Sequence, residues 1–370
     1  MNILILSVTA GYGHHATAKA VSDSLEAHGA TVKTVDVLKY ISKPLYDTVD
    51  KGYSISTKYI PRPYGQAYSA LEKNRPLRRH IISTLATELL ATKFSNYFNE
   101  FKPDVIVCSH IFGAMLMDEL KDRGKLSAPV IGILTDYTFH PFWDDIPHVE
   151  YIITGSCYMN YKAKRKGISE SRILPLGIPI HPRFLTSIPK REARERFSLD
   201  PDKFTILCMS GSMGYGNMVQ SMLRLDNMEE DFQLLCICGR NEKTFEKLSS
   251  MTFKKDVRIF GFVDDGDVMM DAADCLITKP GGLSTTESMT KGLPMILVNP
   301  IPGQEERNSE FFVNSGAAIR VTKHYPVDEA VYMLYHFPER LDSIKRAMAD
   351  ILPKNATAAI TDLILGLEKQ

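Results

Sequence analysis

The chain has 370 residues, with 44 Lys or Arg and 44 Asp or Glu. That length is about two and a half typical domains, so it predicts more than one folded unit. The balanced charge argues against a broadly cationic nucleic-acid binder, and the apolar content of 44% argues against disorder. The longest apolar runs fall far short of the ~20 residues that a membrane-spanning helix needs, and the first residues do not resemble a signal peptide.

The six cysteines form no Cys-x-x-Cys pair, and most lie in apolar, strand-like runs. This arrangement is typical of buried thiols in a reducing compartment and not of a disulfide or zinc framework. We therefore expect a cytoplasmic protein.

Short apolar segments alternate with helical stretches along the chain, which predicts two doubly wound α/β domains. The predicted strands cover residues 3–8, 31–37, 105–109, 130–134 and 151–154, and then residues 204–209, 233–238, 257–260, 275–278 and 295–298. Residues 173–182 contain three prolines, so this stretch is predicted to be an extended linker. Ligands of such sheets bind at the carboxyl ends of the strands, which predicts a cleft between two facing domains.

Residues 9–15 read Thr-Ala-Gly-Tyr-Gly-His-His and join the first strand to a helix-forming stretch. Glycines there allow close backbone approach, and the helix amino terminus offers N–H groups to an anion. His14 is placed to act as a general base, since the unperturbed pKa of histidine is ~6.5. The alternative is a loop histidine that only helps to cap the helix.

A second glycine-rich turn, at residues 209–216, follows the first strand of the second half. A diphosphate held by both turns would explain why both exist. An ordinary strand-to-helix connection is the alternative.

Residues 278–287 read Thr-Lys-Pro-Gly-Gly-Leu-Ser-Thr-Thr-Glu. Ser284 and Glu287 fit a capping box, which is a sufficient structural account of Glu287. The functional alternative is that Glu287 accepts hydrogen bonds from a ribose diol. Asp265 and Asp267 form a D-x-D pattern, but we expect them to cap a helix, so that no metal is required.

These segments, taken together, resemble the glycolipid-synthesising glycosyltransferases that include plant monogalactosyldiacylglycerol synthases and bacterial processive diacylglycerol glucosyltransferases. The group is related to the transferase that makes lipid II. The resemblance is carried by an ordered series of motifs at residues 4–20, 134–143, 239–241, 261–263, 278–287 and 302–305.

The resemblance implies an α/β GT-B fold, with two Rossmann-like domains that face a cleft. Residues 1–178 would form the lipid-acceptor and membrane-association domain, and residues 179–350 the nucleotide-sugar-binding domain. Residues 351–370 would form a helix that crosses back to the first domain. The activity implied is inverting transfer of glucose or galactose from a UDP-sugar to diacylglycerol, once or processively, with no cofactor and no essential metal.

The resemblance also assigns roles to residues. His14 would be the general base, Glu287 the ribose-binding carboxylate, and Phe262 and Val263 would flank the uracil. Ser212, Gly214, Gly281 and Gly282 would lie near the diphosphate, and Gln304 and Glu305 would contact the sugar hydroxyls. The remaining implied site residues are Arg240, Ser284 and Thr285 on the donor side and Gly13, His140, Pro141 and Trp143 on the acceptor side.

Residues 62–93 mix basic and apolar side chains, which is typical of a helix lying on an anionic membrane. The expected membrane contacts are Arg62, Arg75, Arg78 and Arg79. The alternative is a helix whose apolar face packs on the first domain. With the implied acceptor, these residues predict peripheral attachment to the inner face of the cell membrane.

Two other functions stay open at this point. One is transfer of the sugar to a polyprenyl-linked acceptor, and the other is non-catalytic sensing of a UDP-sugar.

Overall fold

The protein is described by a computed structural model that covers residues 1–9, 13–41, 66, 70, 73–74, 94, 97–209 and 218–367. The chain divides into two compact units. The first comprises Met1–His181, Pro302–Gln304 and Pro353–Gln370, and the second comprises Pro182–Ile301 and Glu305–Leu352. Among the described residues, no helix is long and apolar enough to cross a membrane.

The first unit contains a six-stranded parallel sheet in the order β2-β1-β3-β4-β5-β6. Its strands are β1 (Asn2–Ser7), β2 (Thr31–Asp36), β3 (Val105–Cys108), β4 (Val130–Ile133), β5 (Tyr151–Ile153) and β6 (Ile173–Leu174). Its helices before residue 182 include α1 (Gly13–Ala27), α2 (Val37–Ile41), α3 (Ile111–Asp122) and α4 (Asn160–Arg165).

The central strands of this sheet are apolar along their whole length because helices cover both faces of a parallel sheet. All four residues of β3 and of β4 are buried. The edge strand β2 has the polar sequence Thr-Val-Lys-Thr-Val-Asp and is only partly buried, as suits an edge that must not pair with another chain.

The second unit repeats the architecture with the strand order β12-β11-β10-β7-β8-β9. Its strands are β7 (Phe204–Met209), β8 (Phe232–Ile237), β9 (Asp256–Phe260), β10 (Cys275–Thr278), β11 (Met295–Leu297) and β12 (Ala318–Arg320). Its helices are α5 (Lys190–Arg196), α6 (Met218–Asp226), α7 (Glu242–Ser249), α8 (Gly266–Ala272), α9 (Gly282–Thr290), α10 (Gln304–Asn314), α11 (Val327–His336) and α12 (Pro338–Ile351).

Three sequence predictions differ from the structure. The stretch 173–182 does not begin as a linker, because Ile173 and Leu174 pair with β5 before the first proline. Strand β12 was not predicted, since Ala-Ile-Arg is too short to give a pattern. The first unit extends to His181 and also includes Pro302–Gln304, whereas the sequence placed the boundary after residue 178.

The last helix, α13 (Ala356–Gly366), packs in the core of the first unit. Ile360 and Ile364 are fully buried in the cluster that contains residues of β1, α1 and β3. The hydroxyl of Thr361 donates to Ser24 Oγ of α1 at 2.8 Å.

Gly177 adopts φ of +99°, and a Cβ atom there would lie 2.8 Å from the Cβ of Ala356. Only glycine suits both the conformation and this close approach of α13.

Gly132 is a sensitive packing position, because a Cβ atom there would overlap Cζ3 of Trp143 and lie 2.9 Å from its Cη2. Gly132→Ala should lower the free energy of unfolding by about 1–3 kcal/mol through overpacking. Urea denaturation measures the change. Gly366→Ala is the matched control, since a Cβ atom there meets nothing within 4 Å; equal stability of the two variants would contradict the packing argument.

Candidate active site

The strand order of the first sheet reverses between β1 and β3, and this switch point is where ligands of doubly wound sheets bind. Polar residues follow the carboxyl ends of three adjacent strands there. His14 lies at the start of α1 after β1, Ser109 and His110 follow β3, and Thr135 and Asp136 follow β4. The topology therefore brings His14 together with residues about 95 and 121 positions further along the chain.

The orientation of the His14 ring is fixed through Nδ1. This atom lies 2.8 Å from the carbonyl oxygen of Ser109 and 3.0 Å from the hydroxyl oxygen of Thr135. A carbonyl oxygen can only accept, so Nδ1 must carry the proton. The neutral ring then has its lone pair on Nε2, as a general base requires.

Burial lowers the pKa of His14 below 6.5, because the partly buried ring loses hydration in its charged form. The negative charge of Asp136 and the Ser109 carbonyl raise the pKa in part, and His15 lowers it further. Asp136 also accepts a hydrogen bond from Nε2 of Gln304, which groups with the first unit. His14 is thus neutral at physiological pH, and the carboxylate of Asp136 stabilises its protonated form.

His15 faces a different set of partners. Its Nε2 lies 2.6 Å from the hydroxyl oxygen of Thr9 and 3.3 Å from Oδ2 of Asp36. Burial alone would raise the pKa of Asp36, but hydrogen bonds from His15, Thr9 and the Lys39 amide lower it to about 2. These contacts tie the end of β1 to α1 and β2, and so they hold the backbone that carries His14.

His110, which the sequence analysis did not select, caps α3. Its Nδ1 accepts a hydrogen bond from the Phe112 amide at 3.1 Å. Its ring meets that of His14 edge-on, with 4.4 Å between the centroids. Burial, with smaller contributions from His14, His140 and His15, holds the pKa of His110 well below 6.5. Its position directly after a buried strand is the signal that could have identified it.

The predicted acceptor-side residues lie at two places in the first unit. Gly13 begins α1. Pro141 and Trp143 are buried in the 3₁₀ turn Pro141–Asp144, and the imidazole of His140 stacks on Phe142 with 5.2 Å between centroids. Trp143 therefore meets the sheet at Gly132, and its role at the acceptor side stays a prediction.

In the second unit, Arg240 and Phe262 follow the neighbouring strands β8 and β9. The guanidinium carbon of Arg240 lies 5.2 Å from the centroid of the Phe262 ring, and that ring is 51% exposed. Val263 is next to it and partly buried. An exposed aromatic face beside a cation is a surface on which a flat base can stack.

The capping box predicted at Ser284 is wrong. The N-cap residue of helix α9 is Gly281, three residues before the predicted N-cap Ser284, so Ser284 lies inside the helix. The hydroxyl of Thr285 donates to the Gly281 carbonyl oxygen at 2.8 Å. Gly281 and Gly282 stand at the amino terminus of this helix, where backbone N–H groups favour an anion.

Glu287 lies further along α9, after Gly281 and Gly282. Burial raises its pKa to about 8; the charge of Arg183 lowers the pKa in part and that of Asp267 raises it.

The predicted cap at Asp265 is correct in position only: Asp265 is the N-cap residue of α8, but its side chain forms no capping hydrogen bond.

Gln304 and Glu305 are both engaged by the protein. Gln304 donates to Asp136, and Oε2 of Glu305 accepts from the Ile301 amide at 2.8 Å. Their predicted contact with sugar hydroxyls stays a prediction. The predicted residues Ser212, Gly214, Arg62, Arg75, Arg78 and Arg79 lie outside the described residues.

No group of three or more His, Cys, Asp or Glu in the described part of the chain is arranged to hold a metal ion.

Two models of known families match the chain, one in each half. That of monogalactosyldiacylglycerol (MGDG) synthase matches residues 14–180. That of the glycosyltransferase family 28 C-terminal domain matches residues 205–359. The resemblance expected from the sequence motifs is thereby confirmed.

Similar curated proteins include two processive diacylglycerol beta-glucosyltransferases. The one from Bacillus pumilus is 27% identical over 370 residues, which is 98% of this chain and 94% of the relative. The one from Bacillus subtilis is 28% identical over 370 residues, with the same shares.

Solved structures with a similar fold include MurG from Acinetobacter baumannii, with a TM-score of 0.63, 15% identity and 99% of both chains covered. The spinosyn rhamnosyltransferase SpnG has a TM-score of 0.64 and 12% identity, with 98% of this chain and 100% of that chain covered. At these identities the likeness shows the fold alone, and it confirms the predicted GT-B fold.

The raised pKa of Glu287 makes stability depend on pH in a defined direction. Its carboxyl group holds a proton more tightly in the folded state, at a pKa of about 8, than at its ordinary value of 4.5. The unfolded chain therefore ionises first, and the folded state loses stability as the pH rises through this window. Glu287→Gln should consequently gain stability relative to the parent between pH 5 and pH 9, as measured by urea denaturation.

The matched control for this measurement is Glu246→Gln, at an exposed position of α7 in the same unit. A stability difference between Glu287→Gln and the parent that does not change with pH would contradict the burial argument.

Proposed function

We propose that this chain, which belongs to the glycosyltransferases of GT-B fold, transfers a hexose from a UDP-sugar to diacylglycerol with inversion at the anomeric carbon. The processive diacylglycerol beta-glucosyltransferases that resemble this chain support the acceptor and the reaction. The observation that carries the proposal is the hydrogen bond between His14 Nδ1 and the Ser109 carbonyl oxygen. It leaves the basic Nε2 of a neutral histidine at the switch point of the first sheet.

The proposed chemistry starts with the acceptor hydroxyl. His14 Nε2 takes its proton while the oxygen attacks C1 of the α-linked sugar from the opposite face. Asp136 stabilises the imidazolium that forms through its negative charge. The bond between C1 and the diphosphate breaks, and its electron pair leaves with UDP, so the product is β-linked.

The second unit supplies the donor residues in this proposal. The exposed ring of Phe262, backed by Arg240, would stack on the uracil. The N–H groups at Gly281 and Gly282 would stabilise the charge that develops on the leaving diphosphate. Glu287 would accept hydrogen bonds from the ribose diol.

The proposal predicts that His14→Ala loses transfer by about 10²–10⁴-fold, the usual contribution of a general base. UDP binding should persist, because the residues proposed to bind UDP lie in the second unit. The products of purified protein with diacylglycerol liposomes, supplied separately with UDP-glucose and UDP-galactose, are identified by chromatography and mass spectrometry. The same assay with a chelator tests the expected independence of metal.

His28→Ala is a close control, because Nδ1 of His28 makes the same kind of bond, 2.7 Å to the Ser24 carbonyl oxygen, at the other end of α1. It should retain activity.

The pH dependence of kcat/KM tests the protonation state of His14. Since burial lowers the pKa of His14, the loss of kcat/KM on acidification should have its midpoint below pH 6.5. Absence of any glycolipid from diacylglycerol with either donor, despite UDP binding, would contradict the proposal and favour another lipid acceptor or a sensor.

We also propose that the protein attaches peripherally to an anionic membrane. Support comes from a surface formed by Tyr158, Tyr161, Lys164 and Arg165, called here the tyrosine-basic surface. Tyr158 is 53% exposed and Tyr161 73% exposed, and both basic residues are exposed. This surface begins after β5, at the sheet edge that carries His14.

Internal contacts hold this surface in place. Lys162 Nζ donates to the Thr138 hydroxyl at 2.8 Å, and Lys166 lies 3.5 Å from Asp144, so α4 is fixed to the loop after β4. Tyrosines with nearby basic side chains are typical of protein surfaces that meet lipid headgroups. Lys164 also lies 3.1 Å from Glu170, which offsets part of its charge.

Replacing Lys164 and Arg165 by alanine should weaken binding to vesicles rich in anionic lipid by about 10- to 30-fold, since each basic group near such a surface contributes ~1 kcal/mol and Glu170 offsets part of the charge of Lys164. Co-sedimentation with anionic and zwitterionic vesicles measures it. The control is the same change at the exposed Lys243 and Lys247 of α7. Equal loss in both double variants would indicate non-specific charge attraction and contradict a role for this surface.

A further inference from the structure

His14 and His110 form a pair of touching imidazoles whose hydrogen-bonding roles are opposite. His14 Nδ1 donates to the Ser109 carbonyl, so its Nε2 is an acceptor. His110 Nδ1 accepts from the Phe112 amide, so in a neutral ring its Nε2 carries the hydrogen. Backbone groups thus fix both tautomers, one Nε2 as an acceptor and the other as a donor.

These two Nε2 atoms are available to a ligand. Neither forms a hydrogen bond to the protein within the described residues. The rings meet edge-on at 4.4 Å between centroids, so the two imidazoles belong to one site. The low pKa of His110, which follows from its burial and from the neighbouring His14 and His140, is consistent with a ring that stays neutral.

We infer that His14 and His110 together recognise a primary alcohol that has an oxygen on the adjacent carbon; this inference rests on the proposed function. The hydroxyl hydrogen meets the acceptor Nε2 of His14. The neighbouring oxygen meets the donor Nε2–H of His110. Diacylglycerol has this pattern, since its free CH₂OH adjoins the carbon that carries an ester.

The same pattern occurs in a hexose, whose CH₂OH group adjoins the carbon that bears the ring oxygen. A glycolipid made by the first transfer therefore presents to the pair the group that diacylglycerol presented. The same pair of histidines can therefore bind both acceptors, diacylglycerol and the glycolipid made by the first transfer.

The transfer step stays balanced with His110 included. The hydroxyl proton passes to His14 Nε2, a lone pair of the hydroxyl oxygen forms the bond to C1, and the bond from C1 to the diphosphate breaks with its electrons on UDP. His110 keeps its proton throughout. It positions the acceptor, and it determines specificity.

Two variants separate this role from helix capping. His110→Asn places a carbonyl oxygen near the position of Nδ1 and retains the cap, since asparagine is a preferred N-cap residue. It removes the Nε2–H donor. His110→Gln can place an N–H near the position of Nε2 and weakens the cap.

Each variant is given diacylglycerol and, separately, a two-chain alcohol in which an alkyl chain replaces the C2 ester. The ratio of kcat/KM for the two lipids is measured, because this ratio does not depend on the amount of folded protein. The parent should favour diacylglycerol by about tenfold, the discrimination expected of one neutral hydrogen bond. His110→Asn should bring the ratio close to one with an unchanged Tm, and His110→Gln should keep part of the preference.

A parental ratio near one, or an unchanged ratio in His110→Asn, would overturn the inference and leave His110 as a helix cap. Failure of the parent to glycosylate either lipid is a different result, which overturns the proposed function and the inference with it.

Discussion

The hydrogen bond between His14 Nδ1 and the carbonyl oxygen of Ser109 is the interaction on which the chemistry of the first unit depends. A side-chain acceptor could rotate or titrate, but a carbonyl at the end of a buried strand can do neither. The tautomer of His14 is therefore set by the fold of the sheet. The negative charge of Asp136 favours the protonated ring. The carbonyl of Ser109 thus fixes the tautomer of the neutral form, and Asp136 stabilises the charged form.

This arrangement follows from the strand order. Because β1 lies between β2 and β3, the loop after β1 and the loop after β3 leave the sheet side by side in opposite directions. Groups far apart in the sequence then converge, as His14 does with Ser109 and Thr135. The second unit has the same kind of reversal between β7 and β10, and Gly281 and Gly282 follow β10. Both units thus place a glycine or histidine turn beside the point where the strand order of their sheet reverses.

The fold could be predicted from the sequence because buried parallel strands are apolar throughout, and ten of them are separated by helices. The short strands β6 and β12 could not, since two or three residues give no periodicity. His14 was found because a glycine-rich turn marks it. His110 was missed because its partner atoms belong to a backbone amide and to a ring almost a hundred residues away. Its role depends on tautomers, and no residue pattern encodes them.

The start of α9 was misjudged for a related reason. Ser284 and Glu287 satisfy the spacing of a capping box, but Gly281 and Gly282 leave β10 in a conformation that begins the helix earlier. The spacing between Ser284 and Glu287 fits a capping box, but the helix begins at an earlier residue than that box requires. Glu287 nonetheless lies on that helix, but the charges that act on it, those of Arg183 and Asp267, are known only from the structure.

The position of α13 has a consequence for biosynthesis. Ile360 and Ile364 belong to the same core as Ile3. The first unit is therefore synthesised first, but its core is complete only after α13 has been made. The second unit, which ends at Leu352, has all its strands before that helix is made. Until then the face of the first sheet that α13 covers stays open to water. A chain whose synthesis halts before α13 is made would therefore have one complete core and one unfinished core, and its exposed apolar surface would favour aggregation.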